Sequence, residues 1–153
     1  MSLSRTVDVM QATPLFRRLD PKRLRVVAMM GQTLRYRDGE RLFEQGSEGE
    51  DAYVLLTGEV DVLVAAGDEE RVVATLGPGE IFGEIAALTD QPRTSSIRAQ
   101  AEVEVLQLDR QTILALMREF PDIALELIRI LANRLRDTSA QLAAARRELD
   151  PQG

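Results

Sequence analysis

The chain has 153 residues, 44% hydrophobic and 29% charged, the composition of one globular domain able to bury about 70% of its unfolded surface. Neither cysteine nor histidine is present, which excludes disulfides, thiol nucleophiles, Ser-His-Asp triads and the commonest metal ligand. A net charge of -6 at pH 7 is the wrong sign for a domain that coats a nucleic-acid backbone, although a small anion can still find a locally positive pocket.

The N-terminus lacks the charged-then-apolar pattern of a signal peptide, and no apolar run approaches the roughly 20 residues of a membrane span. The cytoplasm is the expected compartment. Within 12–31, PLFRRL reads as helical; Asp20 then caps a second helix, with Pro21 at its first position and Gly31 as its stop. From Gln32 the period changes to two: Leu34 and Tyr36 alternate with polar residues, Asp38 and Gly39 make a turn, and Leu42 and Phe43 begin a short strand. Further strands are expected over 52–57, 59–65 and 71–76, separated by Thr57 and Gly58, by Gly67 and Asp68, and by Gly77, Pro78 and Gly79. Strands this short and evenly spaced predict a barrel or jelly roll.

FGEIAALTDQPRTSS, from position 82, interrupts the strands. Gly83 permits an unusual turn, and 84–88 is long enough for a single helical turn whose first amides lack internal partners and can face an anion. Arg93 is the one cation of the segment, and its planar fork suits phosphate oxygens. Glu84 would repel a phosphate, so it suits a hydroxyl donor such as that of a ribose. The bare spacing is equally compatible with a Glu84–Arg93 ion pair that only fixes the loop. Two more strands, 94–98 and 103–108, lead to Asp109, which caps a helix ending near Glu119.

After Pro121, a helix over 122–149 carries Ala124, Ile128, Leu131, Leu135, Thr138, Leu142, Ala145 and Leu149 at alternating spacings of four and three, the seam of a left-handed coiled coil. Arg134, Arg136, Asp137, Arg146, Arg147 and Glu148 fall outside the seam and read as a solvated face. Such a helix lies on its own domain or packs against a second copy. Its length beyond a small barrel favours a homodimer through 122–149, with Thr138 and Ala145 packing the far seam only weakly.

FGEIAALTDQPRTSSIRA resembles the phosphate-binding cassette of cyclic nucleotide-binding domains: Phe-Gly-Glu, small and apolar residues, Pro-Arg, small residues and a later alanine, without a gap. EQGSEGEDAYVLLTGEVDV is similar to the family's glycine-punctuated strands, and LGPGEIFGE to its approach to the cassette. The resemblance implies a single, mainly β domain over 1–153. Its parts are N-terminal helices in 12–31, an eight-stranded β-roll (jelly-roll-like, a double-stranded β-helix) over 32–108 with the cassette at 82–99, and C-terminal helices in 109–149, the last of them long. It also implies that Glu84 takes the ribose 2′-hydroxyl and Arg93 the cyclic phosphate, with Gly83, Ile85, Ala86 and Thr94 lining the site. Glu50, in GSEGED, matches an acid that orients the arginine in related sequences, and it is equally a surface acid in a turn. Ala87 departs from the pattern where a larger aliphatic residue is usual, which weakens packing behind the cassette.

LANRLRDTSAQL resembles the dimer helix of the bacterial cAMP receptor transcription factors, in which a Thr-Ser pair touches the adenine. Here the pair is Thr138 and Ser139, unless both are merely exposed. In those factors a winged helix-turn-helix follows the long helix, whereas this sequence ends at Gly153, so direct nucleic-acid binding is not expected of these residues. The resemblance implies a sensor rather than an enzyme, with no cofactor, no metal and cAMP as the ligand. A hydroxyl at the place of Thr94 favours guanine in some relatives, which keeps cGMP open, and a dimerisation module that binds no nucleotide is a further alternative. A cupin enzyme shares the small β-barrel outline, but its metal needs histidines that this chain lacks.

Overall fold

The computed structural model describes residues 2–149. In chain order the strands are β1 (Gln32–Tyr36), β2 (Arg41–Phe43), β3 (Ala52–Thr57), β4 (Val60–Ala66), β5 (Glu69–Leu76), β6 (Ile81–Phe82), β7 (Ser96–Ala99) and β8 (Val103–Leu108). They form two four-stranded sheets, β1-β8-β3-β6 and β2-β7-β4-β5, with antiparallel pairing throughout, and together these make the β-roll that the sequence predicts.

β3 is buried on both faces, which is why AYVLLT is a continuous apolar run instead of an alternating one. Tyr53 and Leu55 join Phe82, Ile97, Val103 and Val105 inside the roll. Ala52, Val54 and Leu56 face the other way, into a second core shared with the helices. β8 divides in the same manner, with Val103 and Val105 inward and Leu106 and Leu108 outward.

The helices are α1 (Leu3–Gln11), α2 (Pro21–Met30), α3 (Glu84–Leu88), α4 (Arg110–Glu119) and α5 (Pro121–Leu149). Met10, Leu24, Val27, Ile113, Leu116, Ile123 and Leu127 bring α1, α2, α4 and the start of α5 onto the outer face of β3 and β8. Three of these helices open with side-chain caps that satisfy otherwise unpaired amides: Ser2 accepts from Arg5 N at 3.3 Å, Asp20 from Arg23 N at 2.9 Å, and Asp109 from Thr112 N at 2.8 Å.

The N-terminal helices differ from the expectation for 12–31. α2 begins at Pro21 as predicted, but PLFRRL is a series of turns, and the first helix lies upstream at Leu3–Gln11. Thr13 Oγ1 donates to Met10 O at 2.7 Å just past the end of α1, and Pro14 has no amide with which to continue a helix. Three-residue turns then follow, Phe16 N to Thr13 O at 3.3 Å and Leu19 N to Phe16 O at 3.0 Å. They bury Leu15, Phe16 and Leu19 at a spacing that imitates a helical face. α1 itself was missed although Thr6, Val7 and Met10 are buried one turn apart.

One carboxylate ties this turn segment to α5. Glu126 is buried, with Arg129 Nη1 at 2.7 Å, Arg17 Nη2 at 3.2 Å and Arg18 Nε at 3.6 Å around the same oxygen. Burial works against its charged form, but the hydrogen bonds and positive charge of Arg17 and Arg129 outweigh that and hold its pKa below the usual glutamate value. Beyond this anchor α5 keeps one face on the domain, with Ile130 and Leu131 against the helix-side core and Arg134 on Glu84, and leaves the other face open. Ile128, Leu135, Leu142 and Leu149, seven residues apart, are 62%, 68%, 54% and 86% exposed. No helix of the described residues is long and apolar enough to cross a membrane.

Phe16→Ala opens a cavity under the turn segment and lowers stability by about 3–5 kcal/mol, measured by urea unfolding. Because the Glu126 pKa is lowered by folding, its stabilising effect is fully present above the unfolded value of about 4.3 and is lost as pH falls through the folded value. Glu126→Gln therefore flattens the acid limb of the plot of urea midpoint against pH below about 4.3.

Candidate functional site

The segment 82–99 leaves β6, forms α3 and returns through a loop to β7. Its first step is dictated by Gly83, whose backbone is left-handed at φ 75°. A Cβ there would also sit 2.9 Å from Arg93 Nη1 and 3.0 Å from Asp51 O, so the position excludes side chains twice over.

Arg93 is only 5% exposed. Its Nη1 donates to Asp51 O at 2.8 Å and Gly83 O at 3.0 Å, and its guanidinium carbon lies 4.1 Å from the centre of the Phe43 ring. Its backbone is fixed as well, since Arg93 N donates to Ser47 O at 2.9 Å and Gly46 N to Arg93 O at 2.8 Å. Gly49 completes the socket: a Cβ at that position would meet Nη2, Nε and Cζ of Arg93 at 2.7, 2.8 and 3.0 Å. Among the described residues no carboxylate bonds this cation. Its Nε is buried without a hydrogen-bond partner among the described residues. Burial lowers its pKa from the usual arginine value, against the opposing pull of Tyr53, Asp51 and Glu84. The Asp51 carboxyl is raised by burial, partly offset by Arg93.

Glu84, the first residue of α3, is 5% exposed and pairs with Arg134 of α5, Oε1 to Nη1 at 2.6 Å. Arg134 Nη2 also donates to Ile81 O at 2.5 Å. The Glu84–Arg93 ion pair that spacing allowed is therefore not formed: Glu84 is held by α5, and Arg93 is held by carbonyls. Glu50 is a second correction. It is exposed and lies 3.4 Å from Arg110 Nη1, while backbone carbonyls orient Arg93 in its place. Ala87 is fully buried in the helix-side core.

A cleft of roughly 760 Å³ lies over these residues, within the size range of small-molecule sites. It brings together Gly83, Glu84, Ile85, Ala86, Arg93, Thr94 and Thr138 of the residues expected from sequence. Ser139 is exposed and does not line it. Its apolar wall comes from β4, β5 and β7, with Val62, Val64, Val73, Leu76 and Ile97. Its fourth side is one face of α5, where Arg134, Asp137, Thr138 and Gln141 repeat at helical spacing. Sequence reasoning assigned Arg134 and Asp137 to a solvated face and passed over Gln141. The spacing carried a signal for two of them, since Arg134 stands four positions before Thr138 and Gln141 three after it. Chemically, the cleft offers a buried cation for an anion, a carboxylate acceptor for a hydroxyl, and an apolar wall for a flat ring.

The model of the cyclic nucleotide-binding domain family matches residues 33–120. The chain is 37% identical over 134 residues to the cyclic AMP receptor protein of Thermus thermophilus, covering 87% of this chain and 62% of that protein. It is 28% identical over 137 residues to the CRP-like cAMP-activated global transcriptional regulator of Mycobacterium tuberculosis, covering 89% and 61%. The chain thus spans about three-fifths of the length of these relatives. Among solved structures, the catabolite activator protein of Thermus thermophilus superposes with a TM-score of 0.81 at 36% identity, covering 87% of this chain and 63% of that one. The regulatory domain of Toxoplasma gondii PKA with cAMP gives a TM-score of 0.66 at 30% identity, covering 74% and 43%. A family match over more than half of the sequence places the chain in the cyclic nucleotide-binding domain family.

Proposed function

We propose that this chain is a non-catalytic sensor of a 3′,5′-cyclic nucleotide, cAMP in preference to cGMP, that works in the cytoplasm and signals through a shift of α5. The observation that carries the reading is Arg93, a buried guanidinium that lines the cleft, is bonded by carbonyls and is touched by no carboxylate among the described residues. A buried charge without a counter-charge is costly, and a ligand phosphate supplies the missing anion. Amides of Gly83, Ile85 and Ala86 complete the phosphate cradle. Glu84 takes the ribose 2′-hydroxyl, a bond that its carboxylate can share with Arg134 because both of its oxygens accept. Two relatives in the comparison are named for cyclic AMP, and the Toxoplasma gondii domain was solved with it.

In this reading Thr138 meets the base from the same chain, whereas Ser139, outside the cleft, reaches a base only across a dimer. That dimer forms through the stripe of Ile128, Leu135, Leu142 and Leu149. The coupling between cleft and α5 is of the usual allosteric size, about 1–3 kcal/mol. A direct contact with nucleic acid forms no part of the proposal.

Titration calorimetry tests the site. Arg93→Ala weakens cAMP binding by about 10- to 150-fold, the equivalent of one charge-assisted hydrogen bond; unchanged affinity rejects the assignment. Competition on the unaltered protein gives cAMP the advantage over cGMP, and the reverse order assigns the base preference to Thr94. For the dimer, Leu135→Arg yields a monomer in sedimentation equilibrium, whereas an unchanged mass rejects pairing through α5.

A further inference from the structure

Arg110 stands at the first position of α4, directly after its capping Asp109, where a positive charge opposes the helix dipole and gains nothing from its own helix. The side chain crosses instead to the end of α3. Nε donates to Ala87 O at 2.8 Å, and Nη2 to Ala86 O at 3.1 Å and Thr89 O at 2.9 Å. Nη1 lies 3.1 Å from Asp90 Oδ1 and 3.4 Å from Glu50 Oε1. A guanidinium has five N–H donors, and here three carbonyls and two carboxylates surround it. The three carbonyls belong to the last turn of a helix and its exit, the groups that a helix leaves without internal partners. One side chain thus gathers the run 86–90, which leads directly to Arg93.

The cassette is therefore held to the C-terminal helices at two points of different kind. Arg134 lines the cleft and grips Glu84, so anything that binds Glu84 acts on it directly. Arg110 does not line the cleft and grips mainly backbone, so a ligand leaves its contacts in place. We propose that Arg110 is the positioning residue that makes α3 and α4 move as one body, so that a shift of the cassette on filling the cleft is delivered to α4 and through it to α5. This inference rests on the reading of the cleft as a cyclic nucleotide site.

The test uses the full chain, with Arg110→Gln as the principal variant and Arg110→Lys as a milder one. Hydrogen exchange is followed in 84–92 and in 110–149 with and without cAMP, alongside calorimetry. In the free Arg110→Gln protein, amides of 84–92 exchange about tenfold faster than in the parent. cAMP still binds, because Arg93 and Glu84 are retained, but its effect on exchange in 110–149 falls to below about a third of the parent value. Arg110→Lys gives an intermediate result, since three ammonium donors cannot serve five acceptors. If Arg110→Gln does not fold, the lysine variant alone decides by the same two readouts. A full cAMP effect in 110–149 of the variant, or unchanged exchange of 84–92 in the free protein, overturns the proposal. If the unaltered chain binds no cyclic nucleotide, the functional reading fails and the coupling falls with it, while exchange in 84–92 still judges the clamp by itself.

Discussion

Taking a guanidinium out of water without placing a carboxylate on it is the constraint around which the rest of this domain is arranged. Arg93 is kept there by two carbonyls, the Phe43 and Tyr53 rings and the backbone of the loop between β2 and β3. None of these supplies negative charge, so the socket orients the cation without neutralising it. Two glycines far apart in sequence, Gly49 and Gly83, are fixed by this one side chain, because each lies where a Cβ would collide with it. Asp51 is placed by β3, Gly83 by β6 and Phe43 by β2, so both sheets contribute to the socket.

The same roll also serves as a partition. β3 and β8 present one row of side chains to the interior behind the cleft and the other to the helical layer. Packed interiors transmit displacement because they have little free volume. Leu24, Ile113 and Leu127 pack in the core on the helix side of β3, beside the side-chain links from Arg110 and Arg134.

Much of the architecture was legible because its signals are local. Period-two alternation, glycine turns and the caps Asp20 and Asp109 located seven strands and two helices closely, and the composition of 82–99 marked the cassette. What sequence could not show were choices settled by distant partners. Both Glu50 and Asp51 are acids beside the arginine socket, but the backbone carbonyl of Asp51 holds Arg93 while the Glu50 side chain turns to Arg110. Arg134 lies off the apolar seam of α5, and what covers it is Glu84 of the cassette, fifty residues away in the chain. PLFRRL imitated a helix because three-residue turns and helical turns space buried side chains alike.

The socket of Arg93 bears on portability. The contiguous stretch 82–99 looks self-sufficient, yet the groups that hold its arginine come largely from 43–51, and those that hold its helix end come from α4. A designer who grafted 82–99 onto another β-roll would carry the key residue and leave behind its mould. The transplantable unit is a discontinuous one, three segments that are distant in the chain and inseparable in space.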